Sequence, residues 1–291
     1  GFLEKLAPAF IAGVPSIVKP AAPTAYVTEL VFRRIIEAGV LPEGSVQLLC
    51  GSARGALDHL SGLDSVAFTG SADTAAELRS HPRVAAEGLR FNAEADSLNA
   101  SILGPDVSPD DAEFDLFVEQ LVTEMTVKAG QKCTAIRRAF VPEGLADAVI
   151  EATTARLADV VVGAPTTAGV TMGPLVGLEQ RDEELKSLRA LTKSARIVHG
   201  QAEAVDVVGA DASRGAFMSP MLLRCDDRGA TEPHEVEAFG PVSTIMTYRD
   251  GADVVDMVAR GKGSLVASVV TADSAVAREL VLGLAPYHGR V

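Results

Sequence analysis

The sequence predicts an α/β fold in two successive parts, each a parallel sheet with helices on its faces. Three observations predict it. Short apolar runs of strand length alternate with stretches of helical spacing along most of the 291 residues, which is the pattern of βαβ units. A first series of alternations ends near Asp96, and a second with longer helices opens near Asn99. Hydrophobic residues make up 47% of the chain and charged residues 22%, as in a protein that buries a core rather than a disordered one.

The first residues read as a helix, with Phe2, Leu3, Leu6, Phe10 and Ile11 on one side. A short apolar run, Val14 to Val18, ends at Lys19-Pro20. Thr24 to Glu37 has helical spacing, and Gly39 stops it. Val46 to Leu49 predicts a strand closed by Cys50-Gly51, and Ala53 to Leu60 a short helix. Val66-Ala67-Phe68 predicts the next strand. A helix is expected from near Asp73, with Thr74 and Glu77 as a capping box. In the second part, Ser101 to Leu103 predicts a strand. Ser108-Pro109 predicts the cap and first residue of a helix running from Asp110 towards Lys128. Ala139 to Val141 follows as a strand, then helices over Leu145 to Leu157 and Gln180 to Thr192. Met221 to Leu223, Val242 to Thr247 and Leu265 to Val270 complete the strands, and residues 200–216 read as a loop.

Composition narrows the function. The formal net charge is −13, which argues against nucleic-acid and anionic-lipid partners, since both call for a basic face. Three cysteines, Cys50, Cys133 and Cys225, form no C-x-x-C pair. No structural metal site is expected, and reduced thiols in a cytoplasm are the simplest reading. No apolar run approaches the roughly 18–20 residues that span a bilayer.

Four segments hold residues with chemical potential. In Gly130-Gln131-Lys132-Cys133-Thr134 a cysteine follows a long helix, beside a lysine. A neighbouring cation or oriented N–H groups would lower its pKa from about 8.5 and favour the nucleophilic thiolate. The alternative is a buried structural thiol. Phe68-Thr69-Gly70-Ser71 joins a strand end to a helix start, where ligands and phosphates bind in open α/β sheets. The alternative is an ordinary strand-to-helix turn, and no G-x-G-x-x-G fingerprint occurs. Glu94 is either a general base or a solvated surface carboxylate. Glu237-Ala238-Phe239-Gly240-Pro241 alone reads as a turn before a strand.

Taken in chain order, with Val18-Lys19-Pro20 ahead of them, then Phe68-Thr69-Gly70-Ser71, Glu94, Gly130-Gln131-x-Cys133 and Glu237-x-Phe239-Gly240-Pro241, these segments resemble the aldehyde dehydrogenase superfamily. The run Met125 to Arg138, together with Glu94-Ala95-Asp96-Ser97-Leu98-Asn99, is more similar still to one branch. That branch is the dehydrogenase part of the bifunctional ring-opening proteins of phenylacetate degradation. The resemblance implies a partial Rossmann-like cofactor-binding domain over 1–96 and a thiol-bearing catalytic domain over 97–291. It implies Cys133 as the nucleophile and Glu94 as the base that activates water. It places Lys19 on the adenosine ribose, Thr69, Gly70 and Ser71 at the diphosphate, and Glu237 and Phe239 at the nicotinamide ribose and ring. The substrate implied is a CoA-linked semialdehyde, and the complete protein is expected to be a homo-oligomer.

The family usually has Glu-Leu-Gly-Gly where this chain has Glu94-Ala95-Asp96-Ser97, which suits the phenylacetate branch. The family's oxyanion Asn and its last sheet strand fall outside residues 1–291, so the sequence is expected to be the middle of a longer chain. NAD-preferring relatives often carry a Glu three positions after the lysine. Here that position is Ala22, so NADP is the expected cofactor, with NAD as the alternative. Two other readings stay open. One is a CoA-acylating aldehyde dehydrogenase; the other is a non-catalytic binding domain on the same scaffold.

Overall fold

The computed structural model describes residues 2–53 and 55–291. Its contacts divide the chain into two units, Gly1–Asp96 and Ser97–Val291.

In the first unit, helix α1 (Phe2–Ile11) precedes β1 (Ser16–Val18), α2 (Ala25–Glu37) and β2 (Val46–Leu48). β1 and β2 pair in parallel, Ile17 opposite Gln47. The apolar side expected of α1 is only partly covered: Leu6 is buried, while Leu3 and Ile11 stay exposed. The helix expected over 53–60 includes Arg54, which lies outside the described residues. The rest of that segment forms a single 3₁₀ turn, Ala56–His59. β3 (Ser65–Thr69), α3 (Ala72–Arg79), α4 (Pro82–Ala85) and β4 (Arg90–Glu94) follow. β3 and β4 form a second parallel pair, in which Phe68 and Phe91 stack at 6.3 Å between ring centroids. The cap of α3 differs from expectation. Ser71, not Thr74, is the N-cap, and its Oγ accepts the Thr74 N–H. Ser71 is the first residue with extended backbone before the helix, so it alone can turn its hydroxyl onto the first free N–H groups.

The second unit is built on one seven-stranded sheet, in the order β11-β10-β5-β6-β9-β8-β7. In chain order its elements are β5 (Ala100–Leu103), α5 (Ala112–Thr126), β6 (Arg138–Pro142), α6 (Ala146–Ala158), α7 (Leu178–Leu191), β7 (Arg196–His199), β8 (Met221–Cys225), α8 (Glu232–Glu235), β9 (Val242–Tyr248), α9 (Gly251–Ala259), β10 (Ser264–Val270), α10 (Ser274–Leu284) and β11 (His288–Arg290). All neighbours pair in parallel except the edge strand β7, which runs antiparallel to β8.

The inner strands are apolar on both faces because helices cover both. Ile102, Phe140, Leu223 and Met246 pack on one side with α7, α9 and α10 residues such as Leu188, Val254 and Leu280. Leu103, Val141, Leu222 and Ile245 pack on the other with Phe117 and Leu121 of α5 and Val149 of α6.

α5 begins later than Ser108-Pro109 predicts. Asp111 is its N-cap, and the Asp111 carboxylate accepts the Ser108 N–H and Oγ–H at 2.7 and 2.8 Å. Residues 108–111 thereby close a turn before the helix. α5 also ends at Thr126 rather than Lys128, because Lys128 and Ala129 adopt left-handed backbone, φ 55° and 51°.

Candidate active site

The register of β3 and β4 places Thr69 opposite Glu94, so the Thr69-Gly70-Ser71 segment and Glu94 meet at the carboxyl ends of two parallel strands. The Gly70 N–H donates to the Glu94 carbonyl at 3.2 Å. The Glu94 carboxylate, 27% exposed, forms an ion pair with the Lys5 ammonium at 2.9 Å. Lys5 is a residue the sequence reading missed. Nothing in Glu4-Lys5-Leu6 distinguishes it from a solvated lysine until α1 folds beside Glu94.

At the start of α3, the Ala72 N–H donates to Asp96 Oδ1 at 2.9 Å. Asp96 therefore occupies a donor that an anion at this helix end would use. Lys19 is exposed and follows β1 directly, in the other sheet of this unit.

In the second unit, Cys133 sits on the loop between α5 and β6. It is exposed, which sets aside the buried-thiol alternative; Cys225 is the buried thiol. The loop starts with three consecutive left-handed residues, Lys128, Ala129 and Gly130, the last at φ 67°. A non-glycine residue held there costs on the order of 1–3 kcal/mol, so the surroundings must hold the loop in place. Several groups do so. The buried Asn99 amide donates to the carbonyls of Cys133 at 2.8 Å and Ala135 at 3.0 Å. Its Oδ1 accepts from Ser97 Oγ and the Val266 N–H. Gln131 donates to the Lys128 carbonyl and accepts the Val176 N–H, both at 2.9 Å. The Lys132 ammonium, which the sequence sets beside the thiol, pairs with Glu124 at 2.5 Å.

The Glu237–Pro241 turn packs directly on this loop. A Cβ on Gly130 would overlap the Gly240 carbonyl oxygen, so both backbones need that glycine for their close approach. Arg137, 5% exposed, joins the two segments. Its guanidinium donates to the carbonyls of Gly240 (2.9 Å), Gly130 (2.9 Å) and Lys132 (3.2 Å). Its Nε lies 3.6 Å from Glu237 Oε1, and the group stacks 5.3 Å from the Phe239 ring centroid. Burial lowers the Arg137 pKa, opposed by Glu237 first and Glu184 second.

Glu184 of α7 packs against Gly240, and burial pushes its carboxyl up to about 7 against the lowering by Gln180 and Arg137. Gln180 donates to Glu184 at 2.8 Å and to the Phe239 carbonyl at 3.4 Å. The structure thus gathers Cys133, Glu237 and Phe239 in one unit. It gathers Thr69, Gly70, Ser71 and Glu94 in the other, with Lys19 on a separate strand pair there. Among the described residues, no cluster of three or more His, Cys, Asp or Glu side chains could hold a metal ion, and no helix is long and apolar enough to cross a membrane.

The chain belongs to the aldehyde dehydrogenase family, whose model matches residues 2–284. It is 49% identical over 292 residues to the 3,4-dehydroadipyl-CoA semialdehyde dehydrogenase of Aromatoleum evansii, covering 100% of this chain and 57% of that protein. Mitochondrial aldehyde dehydrogenase of Rattus norvegicus is 32% identical over 275 residues, covering 92% of this chain and 50% of that protein. A betaine aldehyde dehydrogenase variant from Staphylococcus aureus, solved with NAD+ and a BME-modified cysteine, matches with a TM-score of 0.86 at 26% identity. That match covers 99% of this chain and 56% of that structure. The chain therefore spans little more than half the length of these relatives.

Proposed function

We propose that this chain belongs to an enzyme that oxidises a CoA-linked semialdehyde to a carboxylate, with NADP as the cofactor. Residues 1–96 act as part of the cofactor-binding domain and 97–291 as the thiol-bearing domain. The observation that carries the proposal is an exposed Cys133 on a strained loop that Asn99 and Arg137 hold against the Glu237 turn. The name of the Aromatoleum relative supports the substrate class.

The chemistry follows from the residue types. The Cys133 thiolate adds to the aldehyde carbon, and the carbonyl oxygen gains a proton to give a thiohemiacetal. When bound, the cofactor supplies a hydride acceptor, and loss of hydride and a proton from the adduct leaves a Cys133 thioester. Glu94 takes a proton from water, the water oxygen adds to the thioester carbon, and the Cys133 thiolate departs. A carboxylate at position 94 favours water over CoA as the acyl acceptor, and Lys5 pairs with it at 2.9 Å.

The donor set suits a nicotinamide dinucleotide at its two sugars. Lys19 offers an ammonium at a strand end, and Glu237 offers a carboxylate steadied by Arg137. At the diphosphate, Ser71 and the start of α3 are already capped from within the chain, by Ser71 Oγ and Asp96. A diphosphate held there by the start of α3 would take the Ala72 N–H in place of Asp96. We infer that the complete protein is a cytoplasmic homo-oligomer, a reading that the family likeness supports.

Iodoacetamide labelling tests the central assignment. Cys133 should react faster than Cys50, which is also exposed, and faster than Cys225, whose thiol burial pushes up. Cys133→Ala in the complete protein should abolish dehydrogenation and leave cofactor binding intact. Comparable labelling of Cys133 and Cys50, or an active Ala variant, would overturn it.

A further inference from the structure

We propose that Arg137 is a positioning residue that locks the Cys133 loop to the Glu237–Pro241 turn and sets the Glu237 carboxylate for a cofactor ribose. The ribose part rests on the function proposed above; the lock between the two segments does not.

Three features separate Arg137 from an ordinary buried cation. First, its hydrogen bonds are divided between two segments far apart in sequence: Gly130 and Lys132 on one side, Gly240 on the other. A planar guanidinium can direct donors to several acceptors at once, which a lysine ammonium on a flexible stem does less well. Second, every polar partner is a backbone carbonyl or the Glu237 carboxylate, and the Phe239 ring lies on the guanidinium face. Arg137 thus grips three of the five residues of the Glu237–Pro241 turn: 237, 239 and 240. Third, its own backbone is fixed on both sides. The Arg137 N–H donates to the Asn99 carbonyl at 3.2 Å, and its carbonyl accepts the Thr244 N–H at 3.0 Å. Asn99 is also the residue whose amide holds the Cys133 carbonyl. The nucleophile and the Glu237 carboxylate are therefore fixed relative to one another through one side chain anchored to β5 and β9.

A lock of this kind matters for the reaction. A misplacement of about 1 Å between reacting groups can cost roughly a hundredfold in rate. Left-handed residues at 128–130 and a glycine-to-glycine backbone contact leave the loop few other stable positions. The guanidinium also supplies a positive charge beside Glu237 in a site with 4% and 8% side-chain exposure for the two partners. The Glu237 carboxylate so held offers acceptors for both hydroxyls of a ribose diol.

The test uses Arg137→Met and Arg137→Lys in the complete protein, with two readouts. The first is binding of NADPH and NADH compared with their adenosine halves, 2′,5′-ADP and ADP. The proposal expects dinucleotide binding to weaken by about tenfold or more in Arg137→Met, with the halves unchanged within about twofold. Loss of fold would weaken all four together. The second is amide hydrogen exchange, expected to speed up in residues 130–134 and 237–241 together while β5, β6 and β9 keep their protection.

Arg137→Lys keeps a charge but not the fork, so it should show both effects in smaller measure. It carries the test if the Met variant does not fold. Equal weakening of dinucleotide and half, or unchanged exchange in either segment, overturns the proposal. If the unsubstituted protein binds neither dinucleotide, the cofactor reading fails and the ribose part with it; exchange alone then decides the lock.

Discussion

In Ser97–Val291, seven strands are covered on both faces, and Ile102, Leu103, Phe140, Val141, Leu222 and Ile245 have no more than 0% exposure. In Gly1–Asp96 the strands come in two separate pairs, and Leu6, Pro20, Val46, Ala75 and Leu89 are the buried apolar side chains among the described residues. The same segment leaves Leu63 89%, Ile11 85% and Tyr26 74% exposed. The proposed chemistry is divided unequally over these two surroundings. The proposed nucleophile sits on a strained loop, which a densely packed unit can hold. The proposed base sits at the end of a two-stranded sheet, where its carboxylate pairs with the partly exposed Lys5. A rigid site comes from the second unit by burial; in the first it depends on a few polar contacts.

The largest effect should appear at the proposed base, Glu94, in the lightly buried unit. Glu94→Gln in the complete protein should slow deacylation by about 10²–10⁴-fold while the first addition proceeds. The acyl group then accumulates on Cys133, visible as a mass increase of that peptide. Lys5→Met should slow the same step by a smaller factor, since it releases the carboxylate without removing it. Normal turnover of the Gln variant would make Glu94 a structural residue and reduce the first unit's part to binding.

The packing contrast itself can be broken by a pair of truncations. Phe140→Ala removes a fully buried ring from the sheet of the second unit and should cost about 3–5 kcal/mol. Leu63→Ala removes a side chain that is 89% exposed and should stay within about 0.5 kcal/mol. Denaturant midpoints of the two variants decide it; similar losses would mean that the first unit is better covered than its surface shows.

The same asymmetry governs what the sequence disclosed. The runs Ser101–Leu103, Ala139–Val141 and Val242–Thr247 are legible because a strand buried on both faces must be continuously apolar. β4 was not legible: Arg90-Phe91-Asn92-Ala93-Glu94 has a weak alternation and becomes a strand through its pairing with β3. The paired glycines at 130 and 240 were visible as motif positions, though only the fold shows that they face each other. Arg137 was invisible, since an Arg-Arg pair reads as surface charge and only tertiary burial separates it. Glu184 is the clearest case. Asp182 and Glu183 beside it are exposed, and helix rotation alone turns the third carboxylate inward against Gly240.

Glu184 gives the next prediction, a stability profile specific to the second unit. Its folded pKa is raised from the ordinary 4.5 to about 7, so the folded state holds a proton that the unfolded chain releases earlier. Between those values stability must fall as pH rises, by on the order of 3 kcal/mol once the group is ionised. Below about pH 4.5 the penalty is absent, and above about pH 7 it is fully present. Arg137 and Glu237 face the same carboxyl and oppose one another in sign. Glu184→Gln keeps the shape and removes the titration, so its unfolding free energy should gain on the parent's as pH rises from 5 to 8. A parallel pair of curves would show that Glu184 titrates alike in both states.

The smallest effect belongs to the exposed surface of the first unit and concerns cofactor choice. Ala22 opens a 3₁₀ turn, Ala22–Thr24, three residues after Lys19, and both side chains are exposed. A 2′-phosphate brought to Lys19 meets an ammonium and no carboxylate at position 22, which is the local reason to expect NADP. Ala22→Glu introduces a charge that repels the phosphate and an acceptor for the free diol of NAD, so both contributions move the ratio the same way. Exposure limits the size: interactions between exposed charges are worth about 0.2–1 kcal/mol, so the NADP-to-NAD ratio of kcat/KM should shift by no more than about fivefold. The chain's net charge of −13 acts equally on parent and variant and is screened beyond roughly 8–10 Å, so it does not enter that ratio. Raising the salt concentration should shrink the shift, because a surface repulsion is screened whereas a direct hydrogen bond to the diol is not. A shift that survives high salt would assign the preference to the diol contact; no shift at any salt would remove position 22 from cofactor selection.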